Sequence, residues 1–412
     1  MAIDFKSIDK SKVGWPLGFG IAAVVVFVFY SFILPNLGDD VGTFFQDWLP
    51  LDQINLALIW AMSALGLNIV VGYAGLLDLG YVAFWAFGGY STAWFMSSFI
   101  PTHKAIDVLG NLSPGTEQGV HLNVVLVAVI AVALCAAFGV LIGAPTLRLR
   151  GDYLALVTMG FGEITAQFFT NSDNIFGHNI GNGSLGIGPT DNVSGVKVTD
   201  STLSWGNLLA FDHQGRFIYF ALLTGIIIFI SLRIRSGRLG RAWLALREDE
   251  LAASAMGVSL VKTKLSAYAV GAAAGGLCGV AYAMQLGRLL PDPFTFSVSI
   301  TLLAMVVLGG MGNVWGVLIG ALFLSWFNST GLGQIGDTIN NAAGTSIDFS
   351  SYTFLIFGGA LVLMMLFRRE GFFPESRTRA VMHEGAVGDT FAEAPSDEIV
   401  EQAEAKAEES SL

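Results

Sequence analysis

Acidic and amide side chains occur inside stretches of the chain that are otherwise apolar. Asp78 lies in the run A-G-L-L-D-L-G, and Glu163 and Gln167 lie four residues apart in a later run. If these stretches cross a membrane, such groups are costly there and usually face a pathway or a polar partner. They are therefore candidates for lining a path along which a polar solute moves. The sequence has no His pair, G-x-S-x-G or H-E-x-x-H pattern, which disfavours an intramembrane enzyme.

Each path candidate also has a structural interpretation. Asp78 either shapes the route or caps the N-terminus of its helix, where a carboxylate is stabilised. Glu163 and Gln167 are near neighbours on one helix, so they either line the path or form a hydrogen-bonded contact between helices. Further candidates of the same kind stand beside Gly-rich breaks or farther around the helix: Asn68, Thr158 and Asn313.

The composition indicates a membrane protein. Apolar residues make up 53% of the 412 residues, charged residues make up 13%, and the mean hydropathy is +0.64. A soluble domain carries about 25% charged residues. The 50 glycines are typical of helices that pack closely through small residues. Soluble enzymes, disulfide scaffolds and nucleic-acid binders are therefore disfavoured, and Cys135 and Cys278 are interpreted as packing residues of apolar runs.

The apolar runs predict an all-α polytopic membrane protein with about eight to ten transmembrane helices. A crossing helix needs about 20 apolar residues. The candidate segments are 16–35, 53–73, 78–99, 122–145, 153–170, 214–234, 263–286, 297–310, 313–328 and 351–367. The segment 153–170 is the weakest because it contains Glu163 and Gln167. The segments 297–310 and 313–328 are short and separated by a Gly-rich break, which is typical of half-helices.

The distribution of basic residues predicts that both termini are cytoplasmic. With ten crossings and that orientation, 17 of the 21 Lys and Arg residues fall on the cytoplasmic side. Cytoplasmic loops normally carry this excess. The resulting division is a cytoplasmic N-terminus (1–15), a transmembrane domain (16–368) and a cytoplasmic tail (369–412). The residues from Glu384 onwards hold nine acids and one Lys and are predicted to be disordered.

Two long loops interrupt the transmembrane domain. The outer loop, 171–213, contains a G-x-G-x-x-G pattern at Gly181, but no strand precedes it and no helix follows it, so we interpret it as a flexible polar loop. The inner loop, 235–262, mixes basic, acidic and apolar residues. We predict one short helix over 241–256, with Gly257 as its C-cap and residues 247–250 as a polar side. A compact helix of mixed charge fits a groove on a partner, although a plain surface helix is the alternative.

The sequence predicts no nucleotide site of its own. No Gly precedes Lys-Ser or Lys-Thr, so the chain has no phosphate-binding P-loop. If ATP drives this protein, a separate subunit must bind the ATP. We therefore expect the chain itself to bind no cofactor and no metal.

The inner loop resembles the cytoplasmic coupling loop of ATP-binding-cassette importer permeases. Its run E-L-A-A-S-A-M-G is similar to the family pattern of Glu-Ala-Ala, three residues and Gly, with Leu251 inserted after Glu250. The resemblance implies that this loop contacts the ATPases. The residues expected to carry the contact are Arg241, Arg247, Glu248, Asp249, Glu250, Ala252, Ala253 and Gly257.

Four further stretches are similar to branched-chain amino acid permeases of the M type. They are Gly66 to Phe84, Leu149 to Ile164, Leu302 to Gly312 and Leu361 to Gly371. They follow one another at normal spacing between about residues 50 and 375. Urea and short-chain amide permeases share much of the same pattern.

The resemblance implies a transport subunit, not an enzyme. The expected partners are a second permease, two cytoplasmic ATP-binding-cassette ATPases that hydrolyse the ATP, a periplasmic substrate-binding protein and the lipid bilayer, with no nucleic acid. The expected location is the bacterial inner membrane. The alternatives are a urea or short-chain amide permease, or a self-sufficient secondary transporter.

Overall fold

The computed structural model describes most of the apolar part of the chain. The described residues are 10–36, 39–101, 106–108, 118–146, 149, 152–191, 213–344, 348–368 and 371–373. The predicted disordered tail beyond Glu384, the second half of the outer loop and most of the N-terminal segment 1–15 lie outside this description.

The described chain is mostly helical, as the apolar runs predict. The helices are α1 (Lys10–Val28), α2 (Asp39–Trp48), α3 (Leu51–Asn68), α4 (Val82–Phe95), α5 (Val124–Thr146), α6 (Asp152–Thr170), α7 (His213–Ser236), α8 (Arg238–Glu248), α9 (Glu250–Ala255), α10 (Leu260–Leu286), α11 (Phe296–Gly309), α12 (Val314–Trp326), α13 (Leu332–Ala343) and α14 (Thr353–Phe367). Turns of π-helix extend three of them, at Phe29–Ile33, Ile69–Tyr73 and Phe327–Gly331. All ten predicted segments contain a helix.

Five helical runs in the described residues are long and apolar enough to cross a membrane. They are Gly42–Tyr73, Val124–Thr146, Gly215–Ser236, Leu260–Leu286 and Val314–Ala342. Shorter apolar helices occupy Gly18–Ile33, Phe296–Gly309 and Thr353–Met364. The predicted segment 78–99 becomes a helix of 14 residues that starts only at Val82. The predicted segment 313–328 continues through a π-helical turn into α13, which the sequence pattern did not indicate.

Helix α10 lies at the centre of the bundle, packed against α3, α4 and α5. Glycines set the close approach: a Cβ placed on Gly88 of α4 would lie 2.7 Å from Gly276 Cα of α10. Both cysteines are buried and free, and Cys278 Sγ donates to the carbonyl of Ile59 at 3.2 Å. Their interpretation as packing residues is confirmed.

A small sheet lies beyond the far end of α4. Its strands are β1 (Met96–Ser97), β2 (Ile106–Val108) and β3 (Val120–Leu122), in the order β1-β3-β2. Strand β3 runs antiparallel to β1 and parallel to β2. Buried His121 pairs through Nδ1 with Asp191 Oδ2 at 2.5 Å, which ties the sheet to the outer loop.

The first half of the outer loop is folded, so its interpretation as a flexible loop is wrong for residues 171–191. The Ile187 amide donates to the Leu289 carbonyl at 2.9 Å, and Trp94 Nε1 donates to the Ile180 carbonyl at 2.7 Å. Gly183 and Gly186 adopt positive φ angles of 56° and 65°, which allow the tight turns between these contacts. Backbone pairing to distant residues, invisible in the local pattern, gives this loop its fold.

Replacing Gly88 with Ala tests the packing of α4 on α10. The added methyl would collide with the Gly276 backbone, and overpacking of this kind costs about 1–3 kcal/mol. We expect a lower midpoint of thermal unfolding in detergent. The matched control is Gly358→Ala on α14, which has open space around it and should leave the midpoint unchanged or slightly raised. Equal midpoints for both variants would contradict this packing.

Candidate coupling and translocation site

The inner loop folds into two helices that are fastened to α10. Trp243 of α8 is fully buried, and its Nε1 donates to the Thr263 carbonyl at 3.1 Å and to Ser266 Oγ at 3.0 Å. In α9, Glu250 Oε1 accepts from the buried Lys264 Nζ at 2.6 Å. A buried lysine needs such a partner. The pair α8 and α9, called the coupling region below (Arg238–Gly257), therefore sits on the first turns of α10.

The prediction of a single helix over 241–256 is wrong, because Asp249 breaks it. Asp249 is extended, with φ −156° and ψ 116°. Its carboxylate accepts from the Leu251 amide at 2.7 Å and from the Ala252 amide at 3.1 Å. Asp is a preferred N-cap residue, and this one starts a second helix. The Asp in the pattern R-E-D-E-L could have indicated this helix start, but the apolar periodicity on both sides favoured a single helix.

Gly257 closes α9 as the sequence predicts. Its φ is +85°, a left-handed conformation that favours glycine. The Val258 amide donates to the Ala253 carbonyl and the Gly257 amide donates to the Ser254 carbonyl, both at 3.0 Å. This pair of bonds is the Schellman termination of a helix. The prediction of the C-cap is confirmed.

An apolar surface of the coupling region faces outwards. Leu251 and Met256 are 66% and 85% exposed. The neighbouring exposed residues are Arg241, Glu248, Asp249, Ala252 and Gly257, whereas Ala253 is buried. We call Glu248, Asp249, Leu251, Ala252 and Met256 the docking face. Exposed apolar patches rimmed by polar residues often mark protein–protein contacts, so this surface is a candidate for one.

Arg247 points in the opposite direction, into the protein. Its Nη1 donates to the Gly72 carbonyl at 2.5 Å, and a Cβ on Gly75 would lie 2.8 Å from its Cγ. Burial lowers the pKa of Arg247 from its usual value, and the charge of Glu248 opposes that shift. Arg241, by contrast, is exposed and donates to the carbonyl of Ser236, the last residue of α7. The sequence did not indicate that these two arginines differ.

Asn68 and Asn313 hold the Gly-rich break between α11 and α12. Buried Asn68 Oδ1 accepts from the Gly312 amide at 2.9 Å. Asn313 Oδ1 caps α12 by accepting from the Trp315 amide at 3.1 Å, and its Nδ2 donates to the Phe373 carbonyl at 2.9 Å. The amide groups at a broken helix are thus satisfied by side chains of neighbouring elements.

Asp78 does not cap a helix, so that interpretation is wrong. It lies in the irregular segment between the π-helical turn and α4, is 2% exposed, and accepts from the Gly80 amide at 2.9 Å. Helix α4 begins after Tyr81 with no side-chain cap. Thr158 of α6 accepts from the neighbouring Leu79 amide at 3.0 Å. The fold therefore brings Thr158 beside Asp78, a pairing that helical spacing within α6 cannot predict.

Glu163 and Gln167 lie in different surroundings. Glu163 Oε1 accepts from the Phe296 amide at 3.2 Å, at the first residue of α11. Gln167 is exposed, and within the described residues no hydrogen bond joins it to Glu163. Glu163 therefore makes a contact between α6 and α11, whereas Gln167 faces outwards.

Substitutions of Glu163 distinguish between two roles of this residue: stabilising the start of α11 and lining the translocation path. Glu163→Gln keeps an acceptor oxygen, whereas Glu163→Leu removes it, and loss of an N-terminal cap costs about 1 kcal/mol. We expect thermal unfolding in detergent to show a lower midpoint for Leu than for Gln, with near-normal uptake by the Gln variant. Uptake abolished by Glu163→Gln at an unchanged midpoint would instead mean that the charge serves the path.

Broken apolar helices with polar groups at the breaks, together with an exposed apolar surface on the inner loop, are the features expected of a membrane permease. The sequence pattern of the family described as branched-chain amino acid transport system / permease component matches residues 49–366. The chain therefore belongs to the branched-chain amino acid transport system permeases.

Curated relatives support the same family. The high-affinity branched-chain amino acid transport system permease protein LivM of Escherichia coli (strain K12) is 34% identical, over 92% of this chain and 80% of the relative. The probable branched-chain amino acid transport permease protein LivM of Methanocaldococcus jannaschii is 24% identical, over 79% of this chain and 95% of the relative. The permease protein LivH of E. coli (strain K12) is 23% identical, over 66% of this chain and 81% of the relative. No solved structure matches the chain significantly.

Proposed function

We propose that this chain forms part of the translocation pathway of an ATP-driven importer of branched-chain amino acids. The observation that carries the proposal is the family match across residues 49–366, which includes both the broken helices and the coupling region. The names of the relatives favour branched-chain amino acids over urea or short-chain amides. We infer no enzymatic role for the chain, which has no P-loop, and assign ATP hydrolysis to separate subunits.

The proposed complex contains a second permease, two ATP-binding-cassette ATPases and a periplasmic substrate-binding protein. The similarity of the chain to both LivM and LivH proteins supports pairing of two related permeases. The location we propose is the bacterial inner membrane, with both termini and the coupling region in the cytoplasm. The excess of Lys and Arg on that side supports this orientation.

The docking face is the proposed contact with the ATPases. Its apolar residues Leu251 and Met256 project from a helix fixed at both ends by the Asp249 cap and the Gly257 termination. A helix held in this way presents its side chains with little loss of conformational entropy on binding. Movement of the ATPases upon binding ATP would then displace the coupling region as a unit.

The path candidates of the proposal are the groups of α6 and the segment before α4. Asp78 and Thr158 lie together at the irregular segment, where a broken backbone can line a route. The exposed face of α6 carries Gln167, whose amide suits contact with a polar solute or with the second permease. Helix α6 is also absent from the described helical runs that are long and apolar enough to cross a membrane.

Substitutions on the docking face test the proposed contact. Leu251→Glu combined with Met256→Glu places two charges where apolar side chains would be buried by the ATPase. We expect normal membrane insertion and at least a tenfold loss of ATPase subunits recovered with the tagged permease. The matched control is Phe176→Glu, because Phe176 is 99% exposed but lies on the outer loop. Full recovery of ATPases with the double variant would contradict the contact.

A further inference from the structure

The end of α3 connects the coupling region to the break between α11 and α12. After Asn68 the backbone forms the π-helical turn Ile69–Tyr73. Within this turn the Gly72 carbonyl accepts from Arg247 Nη1 at 2.5 Å. Turns of π-helix are rare and often occur at functional sites. The turn thus presents a backbone acceptor to the coupling region.

The other side of the same turn touches the break. A Cβ on Gly72 would lie 2.7 Å from the Gly312 amide nitrogen and would collide with Asn68 Oδ1. That Asn68 oxygen accepts from the Gly312 amide at 2.9 Å. One glycine therefore lies between the guanidinium of Arg247 and the backbone of the break, with no room for a side chain. A shift of Gly72 towards the break would therefore press on Gly312 and on the Asn68 side chain.

The break is held on its remaining side by the segment 371–373. The Phe372 amide donates to the Leu308 carbonyl at 2.9 Å, and the Phe373 carbonyl accepts from Asn313 Nδ2 at 2.9 Å. A Cβ on Gly371 would lie 2.6 Å from Gly310 Cα. Because the break is clamped there, force applied through Gly72 acts on α11 and α12 rather than being dissipated in a loose loop.

We propose that Arg247 is a positioning residue that transmits movement of the coupling region to the break between α11 and α12, through the Gly72 carbonyl. The proposal rests on the proposed function. Arg247 is half-buried and bonded to the permease backbone, so it acts within this chain and not on the docking face. A ligand shifts a conformational equilibrium only through contacts that differ between the two states. The Arg247–Gly72 bond joins two helical elements, and it is the contact that would differ between the two states.

The test compares uptake per ATP hydrolysed in the complete complex, purified and reconstituted in liposomes. Arg247→Ala removes the donor and is expected to keep the ATPase subunits and their ATP hydrolysis while uptake per ATP falls at least tenfold. Arg247→Lys can still donate to the Gly72 carbonyl and is expected to recover a substantial part of the ratio. The matched control is the exposed Arg233 in the last turn of α7, whose change to Ala should leave the ratio unchanged.

Loss of the ATPase subunits from the Arg247→Ala complex would overturn the inference, because Arg247 would then be a docking residue. An unchanged ratio in Arg247→Ala would also overturn it. If the wild-type complex shows no ATP-driven uptake, the proposed function itself fails, which is a different result.

Hydrogen exchange gives a second readout that does not depend on the alanine variant accumulating. Amides of residues 308–316 are compared in the wild-type complex with and without a non-hydrolysable ATP analogue. We expect the analogue to change their exchange rates severalfold, and expect a smaller change in Arg247→Lys. Identical rates in the wild type with and without the analogue would overturn the inference.

Discussion

The close approach of Gly72 to the backbone of Gly312 is the contact that organises one end of this permease. In an apolar surrounding, every backbone amide freed by a helix break needs an acceptor. Asn68 supplies that acceptor for Gly312, and Gly72 lacks a side chain that would push the two apart. Because Gly72 also offers its carbonyl to Arg247, the same few atoms join α3, the break between α11 and α12, and the coupling region.

This contact explains why the bundle tolerates interrupted helices. The break at residues 310–313 is satisfied from three directions: by Asn68, by the Asn313 cap on α12 and by the segment 371–373. Elsewhere the helices approach through glycine, as α4 and α10 do at Gly88. Close packing of this kind makes an interface respond in steps rather than by continuous deformation. A permease that alternates between two states needs elements with that property.

The sequence predicts much of the fold because membrane helices are coded locally. The length of the apolar runs correctly predicted a helix in all ten segments. Gly257 correctly indicated a helix end because glycine readily adopts a positive φ angle. The features that the sequence predicted wrongly or did not indicate depend on tertiary contacts. The interpretation of Asp78 as a cap failed because its segment packs on α6 through Thr158. The inward direction of Arg247 depends on Gly72, which is 175 residues away in the chain. The local sequence pattern around Asp78 or Arg247 does not indicate such a distant partner.

In the proposed function, ATP hydrolysis on partner subunits drives import through this chain. The most direct measurement is uptake of labelled leucine by proteoliposomes that contain the complete complex, with the substrate-binding protein outside and ATP inside. We predict accumulation that requires internal ATP and stops when the ATPase subunits are inactivated. Accumulation by the purified chain alone, without ATPases or ATP, would contradict the proposed function and would identify a self-sufficient transporter.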